Sequence, residues 1–440
     1  MQTNKSVLNT TNISVVILIT LVALIVYYIY LVDDVGKNVK HSNVTEIYYA
    51  DGITTTHLKL INKFNERFKE RIKVIPIDLP FNKFSTNERK EILARTLRGK
   101  GSKIDVFTVD IVWAYRFAKW AENLSPYFND QYLSNFIEPV LETCFFKDSL
   151  IAAPFTFDLS TLYYRDDILS KLPDYEELKS KLADSITWEE LIRLGKRVNY
   201  KNPFYIFPAS DYEGLVCSFL ELIINQNKDF FKESVIDLTK PEAVKALDLL
   251  YDLIHEYKLT PTNVTGFTEF SSHKYFLDND GLFVRSWPAF FLDIPDSSLV
   301  TFRNVINRAP MPHFEGTDPA AVYGGWNLVV SKFSEHIPEA IEFIKFLQEP
   351  ESQSELVIDD ISLPVIKSIY NDENFSAADV LTFYKNNLKY GVHRPLLEDY
   401  TRFSDITSFF VRKVLMDEME SKVALAEATR MINSNEVIFK

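Results

Sequence analysis

The sequence predicts an α/β protein of two domain-sized units, carried behind one apolar segment of membrane-spanning length. Three observations predict it. Short β-forming runs alternate with amphipathic helical stretches after residue 44, which calls for crossover βαβ units and a mainly parallel sheet. The 440 residues exceed what one hydrophobic core usually serves, which suggests two units of roughly 150–200 residues. Finally, Ile13 to Val32 reads ISVVILITLVALIVYYIYLV, uncharged and close to the ~20 residues that cross a hydrocarbon core as a helix.

In that first segment Tyr27, Tyr28 and Tyr30 form an interfacial belt and lead straight into Asp33 and Asp34, with no small-residue cleavage site. An uncleaved signal-anchor over residues 13–32 is expected, with residues 1–12 on one side of the membrane. Residues 33–43 are polar, contain Gly36 and suit a tether. No cysteine lies nearby, which excludes a lipid-anchored start.

Folded structure is expected from Val44. Val44–Ala50 reads as a strand, and Leu60, Ile61, Phe64 and Phe68 then recur at helical spacing. Ile72–Ile77 is a second strand, Asn87–Arg98 a helix with a basic exposed face, and Ile104–Val109 a buried third strand. Ligands of such sheets bind beyond the carboxyl ends of strands, which directs attention to Asp110. Thr187-Trp188-Glu189-Glu190 has the form of a capping box, and helices are expected to Val198, over Leu215–Asn225 and over Pro241–Tyr257. Gly281–Val284 and Asn327–Ser331 read as strands. Ile337, Ala340, Ile341, Ile344 and Leu347 line one helix face, and a helix is expected from Asp405 to Asn433.

Composition removes several functions. The net charge of −13 argues against a surface that neutralises phosphates, so no nucleic-acid partner is expected. Cys144 and Cys217 are the only cysteines, without a CxxC pair; two buried free thiols are the favoured reading over a disulfide, and no structural zinc site can be built. G-x-S-x-G, H-E-x-x-H, G-x-G-x-x-G and the P-loop pattern are all missing, so no cofactor is expected. The pairs Asp166-Asp167 and Asp359-Asp360 are neighbours whose side chains point apart, which suits solvated charge rather than an acid–base pair.

What remains is aromatic and planar polar residues at expected strand ends. Sugars present apolar C–H faces and rings of hydroxyls, so a sugar site stacks flat aromatics and aims carboxylates and guanidinium groups at hydroxyl pairs. Asp110, Asp158, Trp287, Trp326 and Arg394 can supply that chemistry. Each has a structural alternative: Asp110 as a helix cap, Asp158 as a turn residue, Trp287 as core, Arg394 as a surface ion pair.

The chain resembles the family 1 extracellular solute-binding proteins of ATP-driven (ABC) importers, the group that holds maltose and trehalose binders. The resemblance is carried by DVFTVDIVW (Asp105 to Trp113), PFTFD (Pro154 to Asp158) with Leu162-Tyr163-Tyr164-Arg165, and Arg285-Ser286-Trp287-Pro288. It continues through Gly324-Gly325-Trp326-Asn327-Leu328, FLQEPE (Phe346 to Glu351), Leu363-Pro364 and Arg394-Pro395. It implies a two-lobe periplasmic-binding-protein fold, type II-like, with discontinuous lobes joined by a hinge: residues 44–153 with 323–370, and residues 154–322 with 371–440. It further implies a di- or oligosaccharide closed between the lobes, delivery to importer membrane subunits, and no catalysis. By matching motif, Asp110 and Asp158 would accept from sugar hydroxyls, Trp287 and Trp326 would stack, Gly325 would allow close backbone approach, and Arg394 would donate from the far lobe. Trp113 and Phe157 adjoin these positions and are further candidates, with core-facing side chains as their alternative. The expected location is the inner membrane, single-pass, with residues 1–12 cytoplasmic and the folded body periplasmic.

Two departures fall on the first lobe. Gly52 stands where many relatives carry an acid or amide, and the loop Pro80-Phe81-Asn82-Lys83 lacks an expected arginine. A sensory or scaffolding ectodomain is the alternative function.

Overall fold

The computed structural model describes residues 20–25, 27–28, 44–99, 103–233, 235–293, 304–373 and 375–434. Its strands are β1 (Thr45–Asp51), β2 (Ile72–Asp78), β3 (Val106–Asp110), β4 (Phe145–Phe146), β5 (Ser149–Leu150) and β6 (Ala153–Leu159), then β7 (Thr161–Arg165), β8 (Tyr205–Ile206), β9 (Phe283–Ser286), β10 (Ile306–Ala309), β11 (Ala321–Val330) and β12 (Gly391–Val392).

Two sheets define two lobes. The first has the order β12-β11-β3-β1-β2, with β6 on β11 as well. Here β1 pairs in parallel with β2 and β3, through the helices Thr55–Arg67 and Thr86–Arg98, as the alternating pattern predicts. Helix Thr55–Arg67 turns Leu60, Ile61 and Phe64 inward. Helix Thr86–Arg98 corrects the expected basic face: Arg95 and Arg98 are exposed, but Arg89 and Lys90 lie on the stripe with Leu93, Ala94 and Leu97 and are buried.

The second sheet has the order β10-β7-β9-β8 and is mainly antiparallel, with only β8 and β9 parallel. A mainly parallel sheet is therefore confined to the first lobe. Helix Glu213–Gln226 is buried along all but its last residue and forms the centre of the second lobe. The capping box at Thr187 is formed, with Thr187 Oγ1 accepting from Glu190 N at 3.1 Å.

The chain crosses between sheets at Ser160, whose amide donates to Val322 O and whose hydroxyl accepts from Val322 N, each at 3.2 Å. Strand β6, which a boundary at 153/154 would give to the second lobe, pairs with β11 in the first sheet. β11 begins at Ala321, six residues before the expected start, a start that Gly324 and Gly325 mask in the sequence. The C-terminal helix is two helices, Tyr400–Leu415 and Ser421–Ile432, since Asp417 takes a φ of 60° that an α-helix cannot continue through.

Within the expected span Ile13–Val32, the described residues 20–25 and 27–28 are helical and exposed, and the remainder lies outside the described residues, as does the tether 33–43. No helix among the described residues is long and apolar enough to cross a membrane, so the expected transmembrane helix is not found among them.

Candidate binding cleft between the lobes

One strand assembles most of the candidate site. On β11, Trp326 stands opposite Asp110 of β3, Gly324 opposite Asp158 of β6, and Gly325 opposite Phe157. Gly325 has a φ of 126°, and a Cβ there would lie 2.4 Å from the Thr156 carbonyl, so this position requires glycine. The β11–β6 register shifts between Trp326 and Asn327, a bulge beside the site. Trp287, which follows β9 in the second lobe, reaches across: a Cβ on Gly324 would meet its ring at 2.9 Å.

Asp110 does two jobs. Its carboxylate accepts from Val112 N at 3.1 Å, capping the short helix Ile111–Trp113, and from Arg394 Nη2 at 2.7 Å. Arg394 also donates through Nη1 to Glu213 Oε1 at 2.8 Å, and Glu213 accepts from Tyr400 and Ser404. The ion pair is thus buried, not a surface contact: the Arg394 side chain is 1% exposed. Burial works against the Arg394 charge, yet Asp110, Cys217 and Glu213 together hold the guanidinium well above its usual range. Burial also pushes the Glu213 carboxyl up, against the pull of Arg394. Cys217 Sγ lies 3.6 Å from Arg394 Nη1; both cysteines are free and buried.

Asp158 is half-buried, and burial with the neighbouring Asp110 charge pushes its carboxyl up to about 8 in spite of Arg394.

Each tryptophan is backed by an arginine that a carboxylate holds. Arg89 lies 4.4 Å over the Trp326 ring and 3.9 Å over Phe81, and donates to Asp51 at 2.7 Å. Asp51 is saturated by further donors from Tyr49, Gly52 N and Thr108. Arg285 lies 4.1 Å over the Trp287 ring and donates to Glu221 at 3.0 and 3.1 Å. Both tryptophans are half-buried. Trp113 and Phe157, in contrast, are 1% and 0% exposed and pack in the core, Phe157 against Tyr323 at 4.9 Å.

The two first-lobe departures have structural counterparts. An acid is present one residue earlier, at Asp51, and an arginine arrives from the following helix as Arg89. A Cβ on Gly52 would meet the Phe81 ring at 2.3 Å, so the glycine makes room for that ring, which packs edge-on to Trp326 at 5.3 Å. Residue-by-residue reading missed Asp51, Arg89, Glu213 and Glu221. The available signal was a charged residue on an otherwise apolar helical stripe: Arg89 three and four residues before Ile92 and Leu93, and Glu213 and Glu221 within the buried run to Asn225.

The arrangement is a closed junction lined by aromatic rings, with its acids engaged or raised in pKa. No cluster of metal-ligating side chains occurs among the described residues.

A two-lobed sheet pair with aromatics and planar polar groups at the junction is the architecture of a solute receptor. Residues 54–354 match the family of bacterial extracellular solute-binding proteins, and the chain belongs to it: a family 1 solute-binding protein of ABC importers, a family of binding proteins and not of enzymes. A probable ABC transporter-binding protein of Deinococcus radiodurans is 27% identical over 303 residues, 66% of this chain and 69% of that protein. An arabinooligosaccharide-binding protein of Bacillus subtilis is 22% identical over 392 residues, 83% of this chain and 85% of that protein. The maltose-bound structure of T. maritima MalE3 superposes with a TM-score of 0.78 at 26% identity, covering 88% of this chain and 98% of that one.

Proposed function

We propose that this protein captures a di- or oligosaccharide between its two lobes and hands it to the membrane subunits of an ABC importer. The first lobe comprises residues 44–159 with 321–370 and the short strand β12, the second the remainder of the folded body, and the crossings near Ser160 and Val322 act as the hinge. Asp110, Asp158, Trp287, Gly325, Trp326 and Arg394 form the binding surface. One observation carries the reading: a half-buried tryptophan from each lobe stands at β11, Trp326 on that strand and Trp287 against its Gly324, each ring backed by a fixed arginine. Relatives whose names specify maltose and arabinooligosaccharides support a sugar as ligand.

The folded body is extracytoplasmic and tethered to the inner membrane through Ile13–Val32. Its apolar composition supports this, as does the exposure of Leu21, Val22, Leu24, Ile25, Tyr27 and Tyr28, which leaves those side chains for lipid.

Tryptophan fluorescence of the full-length protein in a non-glycosidic detergent tests the reading, titrated with maltose, trehalose, maltotriose and arabinooligosaccharides. Saturable quenching by one sugar, lost in both Trp287→Ala and Trp326→Ala, is the expected result. A folded protein silent across the panel overturns it and favours a sensory ectodomain with protein partners.

A further inference from the structure

The loop after β2, residues 79–85, presents Phe81 at 45% exposure. It lies at the carboxyl end of the parallel strands of the first lobe, beside Gly52, which follows β1, and on the side where β3 ends in Asp110. Ligands of such sheets bind there. One exposed aromatic is ordinary on a protein surface, but this one is held in place. Leu79 N donates to Asp51 O at 2.7 Å and Phe84 N to Pro80 O at 3.0 Å, which pins the loop on both sides of Phe81.

The ring packs edge-on to Trp326, with centroids 5.3 Å apart and 68° between the planes. The Arg89 guanidinium lies 3.9 Å from the Phe81 centre and 4.4 Å from the Trp326 centre. A cation that near to two inclined rings sits in the angle between them and covers one face of each, leaving the opposite faces uncovered by it. Arg89 is itself 1% exposed and is held by Asp51 at 2.7 Å. The two rings therefore form a corner braced from inside by a buried ion pair, with Gly52 as the residue that makes room for Phe81. A desolvated charge is costly, and here it steadies a ring that points partly into water. An aromatic plane fixed in advance loses little freedom when a ligand stacks on it.

We propose that Phe81 is a ligand-contacting, specificity-determining residue whose open face stacks on the sugar unit next to the one on Trp326. The proposal rests on the sugar-capture reading above and adds one subsite to it. The 5.3 Å between ring centres is close to the length of one sugar unit, and at 68° one flat sugar ring cannot lie on both planes. The ligand this corner fits has at least two units, with successive rings inclined to each other. Where the loop lacks the expected arginine it offers a plane, so recognition at this end runs through an apolar C–H face instead of hydroxyls.

The test uses full-length protein, the panel sugar that binds the wild type most tightly and its homologue one unit shorter. Calorimetric titration reads both, so that altered Trp326 emission is not mistaken for altered binding. Phe81→Ala is expected to weaken the longer sugar about three- to tenfold and to leave the shorter one unchanged, because Trp326 still holds its end. Phe81→Trp is expected to restore the preference for the longer sugar, and Phe81→Leu, which keeps apolar bulk without a plane, is not. The ligand-free melting temperature of each variant is expected to stay close to that of the wild type, since the side chain is 45% exposed. Unchanged affinity in Phe81→Ala, or an equal loss for both sugar lengths, overturns the subsite while leaving sugar capture intact; the equal loss would make Phe81 only a support for Trp326. Silence of the wild type across the panel overturns both.

Discussion

Arg394 sits between two carboxylates on opposite sides of the lobe junction, 2.7 Å from Asp110 of the first lobe and 2.8 Å from Glu213 of the second. The same guanidinium therefore belongs to the interior of one lobe and to the closing contact with the other. In the proposed capture, parting the lobes strips Asp110 of its cation, and an arriving sugar must offer hydroxyls good enough to replace that bond.

Removing this cation is expected to be expensive. Arg394→Met leaves the Glu213 and Asp110 charges in a buried setting, and breaking a buried pair from one side costs about 3–5 kcal/mol. Urea unfolding of the variant against wild type measures it. A loss below about 1 kcal/mol would show that the pair is not closed in solution.

Asp158 makes a pH prediction of definite sign. Its folded carboxyl is pushed up to about 8, whereas an unfolded aspartate titrates near 3.9. Between these values the folded protein holds a proton that the unfolded chain has released, so this residue makes stability fall as pH rises from about 4 to about 8, with no further change above that. Asp158→Asn is expected to remove the slope. Its advantage over wild type should be near zero at pH 4 and grow to no more than about 5 kcal/mol at pH 8. Thermal midpoints across that range read the difference, and parallel curves would refute it.

Two glycines separate by the same substitution. Gly325→Ala places a methyl 2.4 Å from a backbone carbonyl at a φ of 126°, neither of which can relax, and is expected to cost at least about 2–3 kcal/mol. Gly52→Ala meets the Phe81 ring, a 45% exposed side chain held against Trp326 and Arg89 that can rotate where a backbone carbonyl cannot, and is expected to cost less than Gly325→Ala while shifting the emission of Trp326. Equal costs in a denaturant series would contradict this account.

The helix cap at Thr187 offers a control remote from the cleft. Thr187→Ala removes an acceptor for Glu190 N and is expected to cost about 1 kcal/mol with no change in sugar affinity. A change in affinity would tie this helix to the binding surface.

The parts of the fold with a clear period were legible in the sequence. β1, β2, β3 and the two helices between them alternate cleanly, and the expected limits of the three strands and the second helix differ from the structure by at most two residues, while the first helix begins at Thr55, five residues before the first apolar position of its expected stripe. β11 was legible only from Asn327 on, because Gly324 and Gly325 argue locally against a strand, although these glycines let the strand pass under Trp287 and across Thr156. The C-terminal helices merged because apolar spacing runs on past the turn at Asp417. Residue chemistry alone offered Asp110, Asp158, Trp287, Trp326 and Arg394 as candidates. It could not pick out Arg89 or Glu213, whose partners lie 38 and 181 residues away, and a charge on a helix reads locally as a solvated one.

The unmodified protein also carries a thiol that can report on the proposed lobe motion. Cys217 Sγ is walled in by Arg394 and Glu213, the groups that seal the junction, while Cys144 lies inside the first lobe beside the Val140 carbonyl. Burial pushes both thiols up, so neither reacts readily while covered. If the proposed capture holds, a ligand that holds the lobes together is expected to slow the rate at which an alkylating reagent consumes the Cys217 thiol, measured by labelling of the native chain.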